Sequence, residues 1–300
     1  MPVIRLGTRG SLLARSQAAL IAAEIQQRFK LEVQTILITT TGDKILDRPL
    51  YDSGGKGLFV REIEQALLSS QIDFAVHSCK DVPVTTPLVD QSDLIIAAIP
   101  KRLDPRDVLI SPHGSTIDEL PKGCIVGTSS LRRQCQLLHR RPDLQIKPIR
   151  GNIDTRIKKL SNNEFAATIL ALAGLTRASL FDESQMYPIP PEEMLPAPGQ
   201  GALALQCRRN DQHIRDILAQ LDDPHSRIAV EAERSVVAAL NCDCHSPIAV
   251  LARIENQTFH LRAALGQRDG QPPIHYANSQ APIAIRAGTI AEVVRLLSIQ

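Results

Sequence analysis

Apolar residues along the first hundred positions change period in a regular way. Val3 to Gly7 forms a short apolar run that predicts a strand, and Ser11 to Phe29 carries apolar residues at helical spacing. The scheme continues with a strand over Val33 to Thr41, a helix over Leu58 to Ser70 and strands over Asp73 to His77 and Leu94 to Ile99. The middle third repeats it. Strands are expected at Cys124–Thr128, Gln145–Ile149 and Ala166–Leu170, and helices at Ser130–Arg141, Ile153–Leu160 and Ala171–Ser179. Near-continuous apolar strands alternating with helices imply a mostly parallel sheet covered on both faces, so the chain reads as α/β with two lobes.

Two breaks bound these lobes. One falls near Pro100 to Pro105, and the other in the proline-rich stretch from Tyr187 to Gly201. The strand expected at Ala202–Cys207 could join either lobe. After about residue 222 the pattern becomes one helix, strands at Ile248–Ile254, Thr258–Leu265 and Ile283–Ala287, and a last helix over Ile290–Leu297. That is a small α+β domain. At 300 residues, several domains are the natural expectation.

Composition narrows the function classes. With 43% hydrophobic and 22% charged residues the chain reads as globular, and it shows neither a signal-like leader nor a long uncharged apolar run. A net charge of +2 and 3% aromatic residues argue against a nucleic-acid surface. The six cysteines, at 79, 124, 135, 207, 242 and 244, read as reduced thiols of a cytoplasmic protein. Cys124, Cys135 and Cys207 fall in apolar patterns and read as core. Cys242-Asp243-Cys244-His245 lacks a second ligand pair, so no metal is expected.

Candidate chemistry concentrates where strands give way to helices. Thr128-Ser129-Ser130-Leu131-Arg132-Arg133 follows a predicted strand, and Arg150-Gly151-Asn152 and Arg156 follow the next. Thr128, Ser129 and Ser130 can cap the helix and supply hydroxyls. Two arginines in a first helical turn oppose the macrodipole, which points to an anion held by guanidinium forks and free N–H groups. A solvated basic face continuing through Arg140 and Arg141 explains the same residues. His77-Ser78-Cys79-Lys80-Asp81-Val82-Pro83 leaves the carboxyl end of a strand, where α/β sheets gather ligands. There Asp81 either pairs with Lys80 at the surface or handles a proton or a cation. His77 reads as a core or supporting histidine. Gly42 to Gly57, with Gly54-Gly55-Lys56-Gly57, is a long connection that reads as a lid or as a plain surface loop, and it lacks the P-loop order.

Taken in order, Thr8-Arg9-Gly10-Ser11, Gly54-Gly55-Lys56-Gly57-Leu58-Phe59, His77-Ser78-Cys79-Lys80-Asp81-Val82-Pro83, Gly127 to Gln134, Arg150-Gly151-Asn152, Thr155-Arg156, Gly174-Leu175-Thr176-Arg177, Pro198-Gly199-Gln200-Gly201-Ala202 and Cys244-His245-Ser246-Pro247 resemble the porphobilinogen deaminases, or hydroxymethylbilane synthases. The resemblance spans nearly the whole chain. It implies two lobes like those of type 2 periplasmic binding proteins, with the strand after residue 200 returning to the first, and a small C-terminal α+β domain, so that the expected division is 1–100 with 200–218, 101–199 and 219–300. It also implies a dipyrromethane cofactor in thioether linkage to Cys244, the thiol that Cys244-x-x-Pro247 places in the family's attachment loop.

The activity implied is a transferase that deaminates porphobilinogen, joins four molecules head to tail onto the cofactor and frees the linear tetrapyrrole by hydrolysis. Each pyrrole carries an acetate and a propionate, so the growing chain needs many guanidinium partners. By resemblance Asp81 is catalytic. Lys80, Asp81, Thr128, Ser129, Arg132, Arg133 and Arg150 hold the cofactor, and Arg9, Ser11, Arg150, Arg156, Arg177 and Gln200 hold substrate. Lys56 and Phe59 belong to the lid loop. The implied partners are porphobilinogen and oligopyrrole intermediates, with no nucleic acid and no membrane, and the protein is expected as a monomer. Asp52, Cys242 and Ala249 depart from the family's pattern. A non-catalytic two-lobed anion binder leaves Cys244 and Asp81 without a role, and a thiol-dependent transferase or hydrolase wants a positioned base.

Overall fold

The computed structural model describes residues 3–44, 60–84, 93–243 and 246–298. By contacts the chain forms two compact units, one of residues 1–103 with 202–227 and one of residues 104–201 with 228–300.

In the first unit, β1 (Ile4–Arg9) leads into α1 (Leu12–Phe29), β2 (Val33–Ile38), the short α2 (Thr41–Lys44), α3 (Arg61–Leu68), β3 (Phe74–Ser78) and β4 (Leu94–Ala98). Ser11 starts α1 by accepting the Ala14 amide at 3.3 Å, and Lys30 ends it in the left-handed region at φ 56°. The second unit runs through β5 (Asp107–Ile110), β6 (Ile125–Gly127), α4 (Leu131–Arg140), β7 (Gln145–Lys147), α5 (Ile153–Ser161), β8 (Ala167–Ala171), α6 (Leu172–Arg177) and β9 (Met186–Pro188). The chain then returns to the first unit as β10 (Leu203–Arg208) and α7 (Gln212–Ala219), and α8 (Pro224–Ala239) leads out again. β11 (Ile248–Glu255), β12 (Thr258–Gly266), β13 (Ile274–Pro282) and α9 (Arg286–Ser298) complete the second unit.

Two five-stranded sheets share one plan. The first has the order β2-β1-β3-β10-β4 and the second β7-β6-β8-β5-β9. In each, three parallel strands are followed by an antiparallel one, β10 or β5, that pairs on both sides. Residue 203 pairs with Ser78 and Ala204 with His77, so the strand after residue 200 does rejoin the first sheet. Ile4, Leu6, Phe74, Val76, Leu203 and Leu205 meet Ile21 and Ile25 of α1 in that sheet's main core. Leu109, Val126, Leu137, Ala167 and Ile169 build the corresponding core of the second. Both lobes and the added three-stranded sheet β11-β12-β13 agree with the α/β plus α+β reading.

Three expectations change. Ile283–Ala287 is not a strand but a 3-10 turn running into α9, and the third strand is Ile274–Pro282, in register with β12 from Gly266↔Ile274 to Thr258↔Pro282. Asn278, Ser279 and Gln280 give that strand little intrinsic β preference, and its backbone pairing with β12 overrides it. β5 and β9 are short and lie beside prolines that read as linker. α7 follows β10 without a break in polar composition, capped by Asp211, which accepts the Ile214 amide at 3.2 Å.

Candidate active site

In the first unit, the strand ends carry the residues that sequence singled out. Arg9 closes β1 half-buried, and Ser11 beside it is committed to capping α1. Lys80 and Asp81 lie on a single 3-10 turn, Cys79–Asp81, directly after β3, and the Asp81 residue is exposed. The turn is anchored below by the Cys79 amide, which donates to Ala202 O at 3.0 Å. His77 is buried under it. Its Nε2 lies 3.0 Å from Gln206 Oε1, and Gln206 Nε2 donates to Glu64 Oε1 at 3.0 Å. Burial, joined by the charge of Arg9, pushes the imidazole down to about 4 against the raising effect of Gln206. His77 is therefore neutral at pH 7, in keeping with a supporting role.

The second unit gathers cations at the start of α4. Ser130 is the N-cap, Thr128 Oγ1 accepts the Ser130 amide at 3.2 Å, and Ser129 Oγ donates to Ile149 O at 2.8 Å while accepting the Ile149 amide at 3.1 Å. Ser129 thus ties the helix start to the segment that leads to Arg150. Arg132 and Arg133 are not a solvated face: their side chains are 5% and 8% exposed. Between them stands Asp107, fully buried, with Oδ2 2.8 Å from Arg132 Nη1 and Oδ1 2.7 Å from Arg133 Nη2. Burial alone would raise the Asp107 carboxyl, but the two guanidinium groups outweigh it and hold the group far below the usual carboxylate range. At the far end of α4, Arg140 pairs with Asp118, and Arg141, which caps the helix, pairs with Asp143.

What remains over is positive charge. Arg133 Nε is buried and has no hydrogen-bond partner among the described residues. Arg156, half-buried at the start of α5, gives its Nε to Gly151 O at 2.9 Å. Burial, with Arg133 and Arg150 nearby, pushes its guanidinium down to about 10. Arg177 ends α6 with Nη2 on Gly201 O at 2.9 Å, and burial pushes it likewise to about 10. Among the described residues neither has a carboxylate partner. Arg156 and Arg177 stay charged at pH 7, and guanidinium groups without an internal carboxylate suit a ligand that carries carboxylates. Gln200, buried on the Gly199–Gly201 turn, donates through Nε2 to Pro105 O at 2.8 Å and to Asp107 Oδ1 at 2.9 Å.

Comparison with known proteins decides the family. The family model "Porphobilinogen deaminase, dipyromethane cofactor binding domain" matches residues 4–216, and "Porphobilinogen deaminase, C-terminal domain" matches residues 227–288. The chain belongs to the porphobilinogen deaminase family. The porphobilinogen deaminase of Brevibacillus brevis is 47% identical over 94% of this chain and 90% of its own length. That of Syntrophobacter fumaroxidans is 45% identical over 95% and 91%. Among solved structures, the second substrate binding domain of a putative amino acid ABC transporter from Streptococcus pneumoniae aligns with TM-score 0.43 and 10% identity, over 73% of this chain and 91% of that one.

The residues present fit the family's cofactor: the unpartnered Nε of Arg133 and the carboxylate-free Arg156 suit a polycarboxylate. Cys244, Lys56, Phe59 and Asp52 lie outside the described residues. Cys242 is described, and burial raises its thiol. Ala249, a departure from the porphobilinogen deaminase pattern, is buried in one cluster with Cys135, Leu251 and Ala264. Sequence reasoning missed Asp107, Gln136 and Glu233. A charged residue opening the apolar run Val108-Leu109-Ile110 was the available signal for the first, and Gln136 and Glu233 sit in helices with nothing local to distinguish them. Gln136 Oε1 accepts the Leu195 amide at 2.7 Å, and its Nε2 donates to Leu195 O at 3.1 Å. Glu233 accepts the amides of Gly199 at 2.6 Å and Ala252 at 2.8 Å. No helix among the described residues is long and apolar enough to cross a membrane.

Proposed function

We propose that this chain is a porphobilinogen deaminase whose named side chains divide the work by charge. The observation that carries the reading is the buried Arg133, whose Nε has no partner among the described residues, with the half-buried Arg156 close enough to feel its charge and no carboxylate among those residues on either Arg156 or Arg177. It accompanies family membership over nearly the whole chain. The enzyme deaminates porphobilinogen, condenses four molecules head to tail on a dipyrromethane and frees the linear tetrapyrrole hydroxymethylbilane with water.

Arg132, Arg133, Arg150, Thr128 and Lys80 hold the acetate and propionate groups of the cofactor, and Ser129 serves them by tying the start of α4 to the segment before Arg150 through Ile149. Arg9, Ser11, Arg150, Arg156 and Arg177 hold those of incoming substrate, while Gln200, whose two amide donors go to Pro105 O and Asp107 Oδ1, supports the set from behind. A carboxylate that leaves water is costly to bury unless a guanidinium meets it with paired donors, so each added pyrrole calls on further arginines. Bound dipyrromethane supplies the free pyrrole α-carbon to which the next unit is joined. Asp81 carries the opposite charge. When ammonia leaves porphobilinogen with the C–N bonding pair, the positive charge that develops on the methylpyrrole is stabilised by the Asp81 carboxylate, which hydrogen-bonds the pyrrole N–H and assists proton transfer. Lys56 and Phe59 belong to the lid in this reading.

Cys244 is the attachment residue, because the family's Cys-x-x-Pro register ends at Pro247. Cys242 is a poorer nucleophile, since a buried thiol kept protonated is unreactive. The same reading divides the chain into 1–100 with 200–218, 101–199 and 219–300, and takes it as a cytoplasmic monomer that carries its oligopyrrole intermediates bound. The test is direct. Purified protein given porphobilinogen should release ammonia and hydroxymethylbilane in about a four-to-one ratio, four substrate amines being lost per tetrapyrrole formed. Tight porphobilinogen binding with neither product would replace the reading with a non-catalytic anion binder.

A further inference from the structure

Asp107 has no place in the division of labour above. It opens β5, a strand hydrogen-bonded on both sides, to β8 and to β9, and it is fully buried. Its two oxygens are shared out: Oδ2 accepts from Arg132 Nη1 at 2.8 Å, and Oδ1 accepts from Arg133 Nη2 at 2.7 Å and from Gln200 Nε2 at 2.9 Å. Arg132 Nη1 is fixed a second time by Leu195 O at 2.6 Å, a carbonyl that Gln136 also holds. Two adjacent guanidinium groups repel each other, and free arginine side chains sample many rotamers. One rigid carboxylate between them removes both difficulties and still leaves one positive charge in excess. The excess is directional, because Arg133 Nε stays buried without a partner among the described residues.

We infer that Asp107 is a positioning residue, which holds Arg132 and Arg133 at fixed spacing so that their remaining donors are aimed at a ligand carboxylate before it arrives. The ligand class follows from the function proposed above: the acetate or propionate of a bound pyrrole. Asp107 acts through the arginines and does not touch the ligand. Its removal leaves two uncompensated cations, so attraction to a polyanion is kept while orientation is lost.

The test is Asp107→Asn in the full-length holoenzyme, a change that keeps size but turns an amide donor toward one guanidinium. Turnover of porphobilinogen should fall about thirtyfold or more with KM within about threefold, the signature of lost orientation rather than lost binding. Amide exchange in the first turn of α4 should quicken about tenfold or more in the same protein. Arg132 and Arg133 are the charged groups in contact with Asp107 among the described residues. The gap in thermal midpoint between wild type and variant should therefore be full at pH 7, begin to narrow as pH falls through about 4, where the unfolded chain's carboxyl takes up its proton, and close only toward the much lower pH at which the folded carboxyl does so.

Adding Arg132→Gln to Asp107→Asn removes one of the two uncompensated cations and returns the excess to the single positive charge of the wild type. It should restore the midpoint without restoring turnover, and it decides the matter if the single variant does not fold. Turnover within threefold of wild type in Asp107→Asn, a tenfold rise in KM at unchanged turnover, or full recovery of turnover in the double variant would overturn the inference. Wild-type protein inert toward porphobilinogen would instead overturn the functional reading. The exchange rate would still report whether Asp107 holds the helix start, and an unchanged rate would refute it.

Discussion

Gly266→Ala is a sharp test of how the three-stranded sheet meets the arginine-bearing helix. Gly266 ends β12, and a Cβ added there would stand 2.4 Å from Cys135 Sγ and 3.1 Å from Cys135 Cβ. Ordinary contact begins at about 3.4 Å, so the overlap with sulfur is roughly 1 Å. Cys135 cannot yield cheaply. It is fully buried among Leu195, Ala249, Leu251, Ala264 and Ile274, and its thiol donates to Gln271 O at 3.3 Å. Overpacking of this kind costs about 1–3 kcal/mol, which is a fall of roughly 2–10 °C in thermal midpoint for a protein of this size. Cys135→Ala alone should cost about 1 kcal/mol through lost packing and one weak hydrogen bond. Together the two changes should cost less than their sum by about 1–2 kcal/mol, since the alanine has removed the sulfur that Gly266→Ala strikes. Circular dichroism melts of the four proteins give the coupling, and turnover measured on the same samples reports whether displacing α4 displaces Arg132 and Arg133. Simple additivity, within about 0.5 kcal/mol, would refute this account of the contact.

Other changes probe other parts. Asp81→Ala should keep the covalent pyrrole adduct and lose nearly all turnover, measured by adduct mass beside single-turnover kinetics; near-normal turnover removes Asp81 from its role. Glu233→Gln leaves one of the two amides it serves, Gly199 N or Ala252 N, facing a donor, and should destabilise the protein by about 2–4 kcal/mol in urea titration. His77, pushed down to about 4 from an ordinary 6.5, binds a proton more readily in the unfolded chain. Its contribution is complete above about pH 6.5 and is lost as pH falls toward 4, up to about 3 kcal/mol, so His77→Gln should flatten wild-type stability across that interval. An unchanged pH profile in the variant would show that another group sets it.

The alternation of period carried far in the sequence because strands such as Phe74–Ser78 and Leu203–Arg208 open on apolar runs, Phe74-Ala75-Val76 and Leu203-Ala204-Leu205, and α1 has a capping serine and a clear end. Return of β10 to the first sheet was not readable from the strand itself, since its residues suit either sheet, and the family pattern supplied it. β13 escaped because its asparagine, serine and glutamine residues look like loop until β12 pairs with them. The anion-binding arginines were legible as unusual first-turn residues, but their internal counter-ion was not. Asp107 lies 25 positions before Arg132, and only the folded sheet brings its carboxylate to both guanidinium groups. Thr128, Ser129 and Ser130 were readable as hydroxyls at a helix start. That Ser129 spends its hydroxyl on Ile149, and so couples Arg150 to α4, depends on a strand-to-helix connection that local sequence does not specify.

The central claim is a covalently anchored oligopyrrole on Cys244, served by arginines on one side of the charge ledger and Asp81 on the other. Intact-protein mass spectrometry tests it most directly. Active wild-type protein should carry a mass increment of two pyrrole units, absent from Cys244→Ser and retained in Cys242→Ser. An unmodified mass in active protein, or an adduct that follows Cys242, would contradict it.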